Sequence, residues 1–248
     1  MNVRSVRIAT SGWHYGHWKG PFYPEKTPDS RLLKFYSGRF DTVEVNNTFY
    51  GLPDEKTIVQ WRDSTPEGFI FSIKASRLIT HMKKLKDPGR TLPPLLERIK
   101  PLKEKLGPIL FQMPPRWGLD IGRLNEFLDA LPEDHRYTFE FRDTSWFDHR
   151  VYGLLKRRNI AFCIYDFNRV LSPKEITADF IYIRLHGPEG KYAGSYSDSA
   201  LAGWAGLFSK WIRDVREIYC YFDNDQAGYA ALNALKLKEM VKGLPAAA

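Results

Sequence analysis

Cysteine is scarce: the 248 residues hold two, Cys163 and Cys220. Both fall in stretches that read as strands, the sixth and the eighth, with the seventh between them. Two inter-strand spacings, about 10 Å, then separate the thiols, which is beyond disulfide reach. Unpaired cysteines fit a reducing cytoplasm. Long apolar runs are also missing. No stretch reaches the ~20 residues that cross a bilayer. The opening MNVRSVRIATSG has no apolar signal core, so neither a membrane span nor a leader is expected. The glycine-rich GxGxxG turn, the P-loop, the GxSxG elbow and HExxH are all absent, and no cofactor is expected. Acid is the minority charge: 37 Lys and Arg face 29 Asp and Glu, a formal net charge of +8. That balance favours anionic partners such as phosphates or nucleic acid, and it suits an ordinary basic soluble enzyme at least as well.

Apolar residues make up 43% of the chain and aromatics 15%, enough for one sizeable core. A single domain over residues 1–248 is expected, with a frayed tail at about 243–248. Eight stretches read as strands from short apolar runs or period-two alternation: Val6–Ala9, Thr42–Val45, Phe69–Lys74, Pro108–Met113, Tyr137–Arg142, Ile160–Tyr165, Phe180–His186 and Glu217–Phe222. Helices are expected from Arg31, over Asp54–Arg62, Leu92–Leu106, Ile121–Leu131, Phe147–Arg158, Ala200–Val215 and Gln226–Val241. Asp29 or Ser30, Asp54 and Asp225 are the candidate N-caps, and Gly107 the candidate terminator of the third helix. Residues 168–178 allow one or two helical turns. Strands alternating with helices at this length predict an α/β fold, a parallel (β/α)8 TIM-type barrel. The doubly wound open sheet usually carries the glycine-rich turn that this chain lacks. The loop 13–23 packs Trp13, His14, Tyr15, His17, Trp18, Phe22 and Tyr23 together, which makes it either a small core of its own or a stacking surface.

Barrel enzymes carry their chemistry at the C-terminal ends of the strands. Here nearly every strand ends polar. The ends present Ser11 and Trp13, Glu44 and Asn46, Ser72 and Lys74, then Gln112. They continue with Glu140 and Arg142, Asp166, Arg184 and His186, and Asp223 and Asn224. The alternate positions Val43/Val45, Phe139/Phe141 and Ile183/Leu185 are apolar, so period two aims the polar residues inward. Buried charge costs free energy unless paired, and a barrel built for stability alone would use Val, Ile or Leu there. A purely structural ion-pair network among Glu140, Arg142, Arg184 and Asp223 is the competing reading. His186 is the first candidate for proton transfer, or a positioned hydrogen-bonding histidine. Glu140 is a general acid or base, or the counter-ion of Arg142. Lys74 suits an anion better than a nucleophilic role. His81 and His14 lie in loops. A carboxylate–histidine metal site would draw on Glu44, Glu140, Asp166, His186 and Asp223. One strand-end histidine and two arginines argue against it, and no metal is expected.

The stretches TSGWHYGHWKGPFYP, VEVNNTFY, FIFSIKASRLITH, ILFQMPP, FEFRDTSW, YIRLHG and YCYFDNDQAGYAALNA resemble the YecE-like family, domain of unknown function 72. The likeness runs from Thr10 to about Ala234, several unusual motifs in one order. It implies a TIM-type barrel and no settled activity. It also implies a shared pocket of Trp13, Glu44, Asn46, Lys74, His81, Gln112, Glu140, Arg142, Arg184 and His186. The family's strand-eight motif commonly has two asparagines after Phe; Asp223 stands at the first of them here, which adds a carboxylate.

The leading expectation is a cytoplasmic hydrolase, lyase or isomerase doing metal-independent acid–base chemistry on an anionic small molecule, phosphorylated or sugar-containing. Glu140 and His186 would move protons, Arg142 and Arg184 would hold the anion, and Trp13, Tyr50 and Trp146 would form apolar walls. Phosphate is expected against Arg184, beside the loop GPEGKYAGSY, and not at the N-terminus of the last helix. The rivals are a nucleic-acid-binding or processing protein, with weak, salt-sensitive binding, and a non-catalytic ligand-binding barrel. No membrane association is expected.

Overall fold

Alternating β-branched and aromatic residues, broken by polar turns, commit this chain to strands. The computed structural model describes residues 4–242. Its eight principal strands are β1 (Ser5–Thr10), β2 (Thr42–Val45), β3 (Ile70–Lys74), β4 (Leu106–Gln112), β5 (Tyr137–Glu140), β6 (Ala161–Phe167), β7 (Phe180–Leu185) and β8 (Glu217–Phe222). Among the described residues six α-helices lie between the strands, α1 (Leu32–Ser37), α2 (Glu55–Asp63), α3 (Pro88–Ile99), α4 (Ile121–Asp129), α5 (His149–Arg157) and α6 (Asp198–Trp211), and a seventh, α7 (Tyr229–Lys242), follows β8. The strands are hydrogen-bonded in the order β1-β8-β7-β6-β5-β4-β3-β2. A parallel bridge, Ser11↔Glu44, joins the two ends of that path. The result is a nearly closed eight-stranded parallel barrel, the α/β (β/α)8 TIM type that the sequence predicts.

By packing, the described residues fall into two compact units. One holds 4–44, 164–174 and 179–242; the other holds 45–163 and 175–178. In the first unit the aromatic loop makes its own core. Trp18 and Tyr23 are fully buried, and Phe22 contacts both rings and Phe35 edge-on. Trp18, Phe22 and Tyr23 thus follow the small-core reading of this loop, while His14 and His17 are exposed. The Trp18 indole N–H donates to the Asp225 carboxylate at 2.6 Å, so Asp225 is spent there and gives no side-chain cap to the short turn before α7. Likewise Asp29 accepts from Lys19, and neither it nor Ser30 caps α1. After β6 there is no helix. Asn168 and Arg169 take left-handed φ of 53° and 64°, and the chain turns back as a two-residue antiparallel strand, Val170–Leu171. The expected fraying at 243–248 lies outside the described residues.

In the second unit Asp54 caps α2 as expected, accepting from Thr57 N at 2.7 Å. The third helix differs from expectation. α3 begins at Pro88, where proline is pre-organised for a first turn, and gives way to a 3-10 stretch over Lys100–Lys105. Gly107 is not its terminator but part of β4. A Cβ there would lie 2.4 Å from Ile70 Cγ2, so glycine serves close strand packing. Lys105 is buried, its ammonium donating to the Arg62 and Thr65 carbonyls at the end of α2.

Candidate functional site

The densest polar set lies in the first unit, at the C-terminal ends of β2, β7 and β8. Alternation along β7 puts Tyr182, Arg184 and His186 on one face and Ile183 and Leu185 on the other. Glu44 is fully buried and Arg184 is 1% exposed. The Glu44 carboxylate accepts from Ser11 Oγ at 2.7 Å, from Tyr182 Oη at 2.7 Å and from Arg184 Nη2 at 2.8 Å. Arg184 Nε also donates to both Glu44 oxygens, at 3.1 and 3.0 Å. Bonds of this number hold the Glu44 side chain immobile, which suits a positioning group.

Arg184 Nη2 also reaches Asp223 Oδ2 at 3.0 Å. The expectation of an open Arg184 fork for phosphate therefore needs correcting: its Nε and Nη2 hold two carboxylates, and the side chain is out of solvent. The neighbouring loop is similarly engaged. Gly187 N donates to Tyr196 Oη, Glu189 N to Ala193 O and Gly194 N to Gln226 Oε1, so these three loop amides are engaged within the protein.

His186 is fully buried. Its Nδ1 faces the Asp166 carbonyl oxygen at 3.1 Å. A carbonyl only accepts, so Nδ1 carries the proton. Nε2 is then the exchangeable nitrogen, and it lies 3.6 Å from Asp223 Oδ2. The pair can pass one proton, with Nε2 as the accepting atom. Phe167 and Tyr192 flank the imidazole, at ring-centroid distances of 5.2 and 5.8 Å. The Asp166 carboxyl accepts from Tyr196 Oη at 2.9 Å, yet burial keeps its pKa above the ordinary carboxylate value. Tyr15, outside the sequence-based candidates, donates to Ser11 O at 2.8 Å. Burial first, then the charges of Asp223, Asp225 and Glu44, push its phenol pKa far up, so it stays a donor. Trp13 is half-buried and its carbonyl accepts from Tyr23 Oη.

The second unit has a smaller set at the ends of β5 and β6. Arg142 Nε donates to Glu140 Oε1 in an ion pair. Cys163 Sγ lies 3.7 Å from Glu140 Oε2, a contact that the spacing of the two cysteines did not suggest. Asn46 Oδ1 is buried with no hydrogen-bond partner, and Gln112 is partly exposed. Trp146 is not an apolar wall. It is fully buried, stacked on Phe141 at 4.7 Å, with its N–H on the Trp117 carbonyl. Tyr50 is 77% exposed. Lys74 Nζ sits 4.6 Å over the Phe49 ring, and His81 meets the same ring edge-on at 4.9 Å.

Among the described residues no three His, Cys, Asp or Glu side chains are grouped to hold a metal ion. In the first unit the guanidinium of Arg184 occupies the space between Glu44 and Asp223, where a cation would need to sit.

Tyr182 was legible, since it lies two residues before Arg184 on the same face. Tyr15 and Tyr196 were not, because each is delivered by an irregular loop.

A family model described as "Protein of unknown function DUF72" matches residues 7–247. The chain is 24% identical to the UPF0759 protein YunF of Bacillus subtilis (strain 168), covering 95% of this chain and 94% of that one. It is 32% identical to the UPF0759 protein YecE of Escherichia coli (strain K12) over 116 residues, 46% of this chain. That match spans 43% of YecE, less than half its length. A DUF72 family protein from Thermotoga maritima MSB8 has a crystal structure that superposes with a TM-score of 0.87 at 32% identity, covering 96% of this chain and 99% of that one. A DUF72 family protein from Enterococcus faecalis V583, at 18% identity and a TM-score of 0.83, shares the fold. No helix among the described residues is long and apolar enough to cross a membrane.

Proposed function

The chain belongs to the DUF72 family, and we propose that it is a single-domain cytoplasmic enzyme doing metal-independent acid–base chemistry on a small polar, anionic molecule. His186 Nε2 is the proton carrier and Asp223 its partner. The observation that carries this reading is the Nδ1 contact to the Asp166 carbonyl, which leaves Nε2 alone to exchange a proton. Arg184 and Glu44 position Asp223 and keep the set's charge nearly balanced. Ser11, Trp13 and Asp166 are the ligand-binding candidates of the same unit. In the other unit Glu140 is the second acid–base candidate, with Arg142 as its counter-ion and Asn46 and Gln112 as polar contacts. The net charge of +8 supports an anionic substrate. Arg184 does not, since its Nε and Nη2 already hold Glu44 and Asp223. Hydrolase, lyase and isomerase reactions all fit a proton carrier of this kind.

The test is a native mass spectrum of freshly purified protein to identify a retained ligand. That ligand is then incubated with enzyme in D2O and followed by proton NMR. Deuterium uptake or conversion by the wild type, lost in a folded His186→Gln protein, supports the reading. A ligand that binds, stays chemically unchanged and exchanges no hydrogen would leave a non-catalytic binding barrel. Elemental analysis of protein purified without a metal-affinity step tests the metal-independent part. One zinc, iron or manganese per chain that disappears with His186→Gln would overturn it.

A further inference from the structure

The stretch Lys74–Lys86, KASRLITHMKKLK, carries five cations and no acid of its own; Lys83 pairs with Asp87 just beyond it at 3.1 Å. Like charges concentrated this way are most often just solvated. Two features set this stretch apart. Its cations are interleaved with exposed apolar side chains, Leu78 at 42% and Met82 at 65% exposure. Its fold is also firmly built. Residues Leu78–Met82 form a single π-type turn, a local distortion common at functional sites, and Leu78 N is held by Ser76 Oγ.

The facing loop supplies the aromatic ring. Thr48 Oγ1 ties the turn after β2 to the Val45 and Lys74 carbonyls, and Asn47–Phe49 forms a 3-10 turn that holds Phe49 and displays Tyr50. Phe49 takes Lys74 on its face and His81 on its edge, and Tyr50 packs against Phe49 edge-on at 5.1 Å. An exposed ring on a rigid turn, packed against a second ring that carries the Lys74 ammonium on its face, matches what unpaired bases and their phosphates need: a face to stack on and charge to follow the backbone.

We propose that this face, Tyr50 with Lys74, Arg77 and the lysines to Lys86, binds single-stranded nucleic acid. A base stacks on Tyr50, and Arg77 and the following lysines neutralise phosphates. A duplex is disfavoured because its bases are already stacked. This site goes beyond the acid–base reading and does not depend on His186.

The experiment is fluorescence anisotropy with labelled dT12 and rU12 and with a blunt 12-base-pair DNA duplex, from 50 to 300 mM salt. The wild-type chain is expected to bind both single strands more tightly than the duplex. Tyr50→Ala should weaken single-strand binding about tenfold at fixed salt. Arg77→Gln should reduce the slope of log K against log salt by about 0.7. Lys26→Gln and Lys34→Gln, basic positions on the other unit, should change neither, and His186→Gln should bind as wild type. The dT12 and rU12 arms separate DNA from RNA preference. Absence of single-strand binding at 50 mM salt, tighter binding of the duplex, or wild-type affinity in both Tyr50→Ala and Arg77→Gln would overturn the proposal.

Discussion

Two regions handle charge in opposite ways. At the ends of β2, β7 and β8, Glu44, Arg184 and His186 are withdrawn from solvent, Asp223 is 12% exposed, and the two carboxylates share one guanidinium. Along Lys74–Lys86 five cations follow one another, mostly exposed, with an acid, Asp87, meeting Lys83 at the end of the run. The difference is set by solvation. Inside the fold an unpaired charge costs several kcal/mol, so every charge must be answered by another. At the surface water answers it, and like charges can collect for a partner to neutralise.

The comparison breaks most sharply by removing one arginine from each region. Arg184→Ala leaves the buried Glu44 carboxylate and the largely buried Asp223 carboxylate without their shared guanidinium and should cost about 3–5 kcal/mol. Arg77→Ala should lie within about 0.5 kcal/mol of wild type. Urea unfolding of both proteins checks this; equal midpoints would mean that the buried set is solvated after all. A smaller step is Tyr182→Phe, which takes one donor from the buried Glu44 carboxylate and should cost about 1.5–3 kcal/mol. An unchanged midpoint would show that water replaces the phenol.

His81 reports on the exposed region. Partial burial, then Lys74 and Arg77, lower its pKa. Lys74→Gln or Arg77→Gln should move it back up, as read by NMR titration of the imidazole. No movement in either variant would leave burial as the whole cause. The sign for stability follows: a histidine with a lowered folded pKa binds fewer protons folded than unfolded. It therefore penalises the fold as pH falls below its ordinary value near 6.5.

The smallest effect concerns Asp166, whose folded pKa is raised by burial. The folded state then binds more protons between the unfolded value near 3.8 and the raised one, so stability falls as pH rises through that window. Asp166→Asn keeps an acceptor for Tyr196 and should be the more stable protein at pH 7, with the gap closing towards pH 4. Thermal melts across that range decide it. A gap that stays constant with pH would assign the difference to something other than ionisation.

Alternation carried the reading a long way. Period two in VEV, FEF and YIRL placed Glu44, Glu140 and Arg184 opposite the apolar layer, because a half-buried strand can satisfy its two faces in only one register. It failed for Trp146, whose indole is buried against Phe141 and Trp117. The same apolar side chain suits a wall or a core, and only its neighbours decide which. The turn after β6 also escaped, since Asn168-Arg169 lacks the glycine that usually marks two successive left-handed residues.

The sequence by itself determined the barrel, the placement of polar residues at the strand ends and the cationic run, since all three follow from local periodicity and composition. The tertiary structure decided who is paired with whom. That Arg184 answers Glu44 and Asp223, that Asp225 holds Trp18, and that Asp166 fixes the proton on His186 Nδ1 are contacts between residues 20 to 207 positions apart. Nothing in a linear pattern specifies such contacts, because they arise only when separate strands and loops are brought within hydrogen-bonding distance.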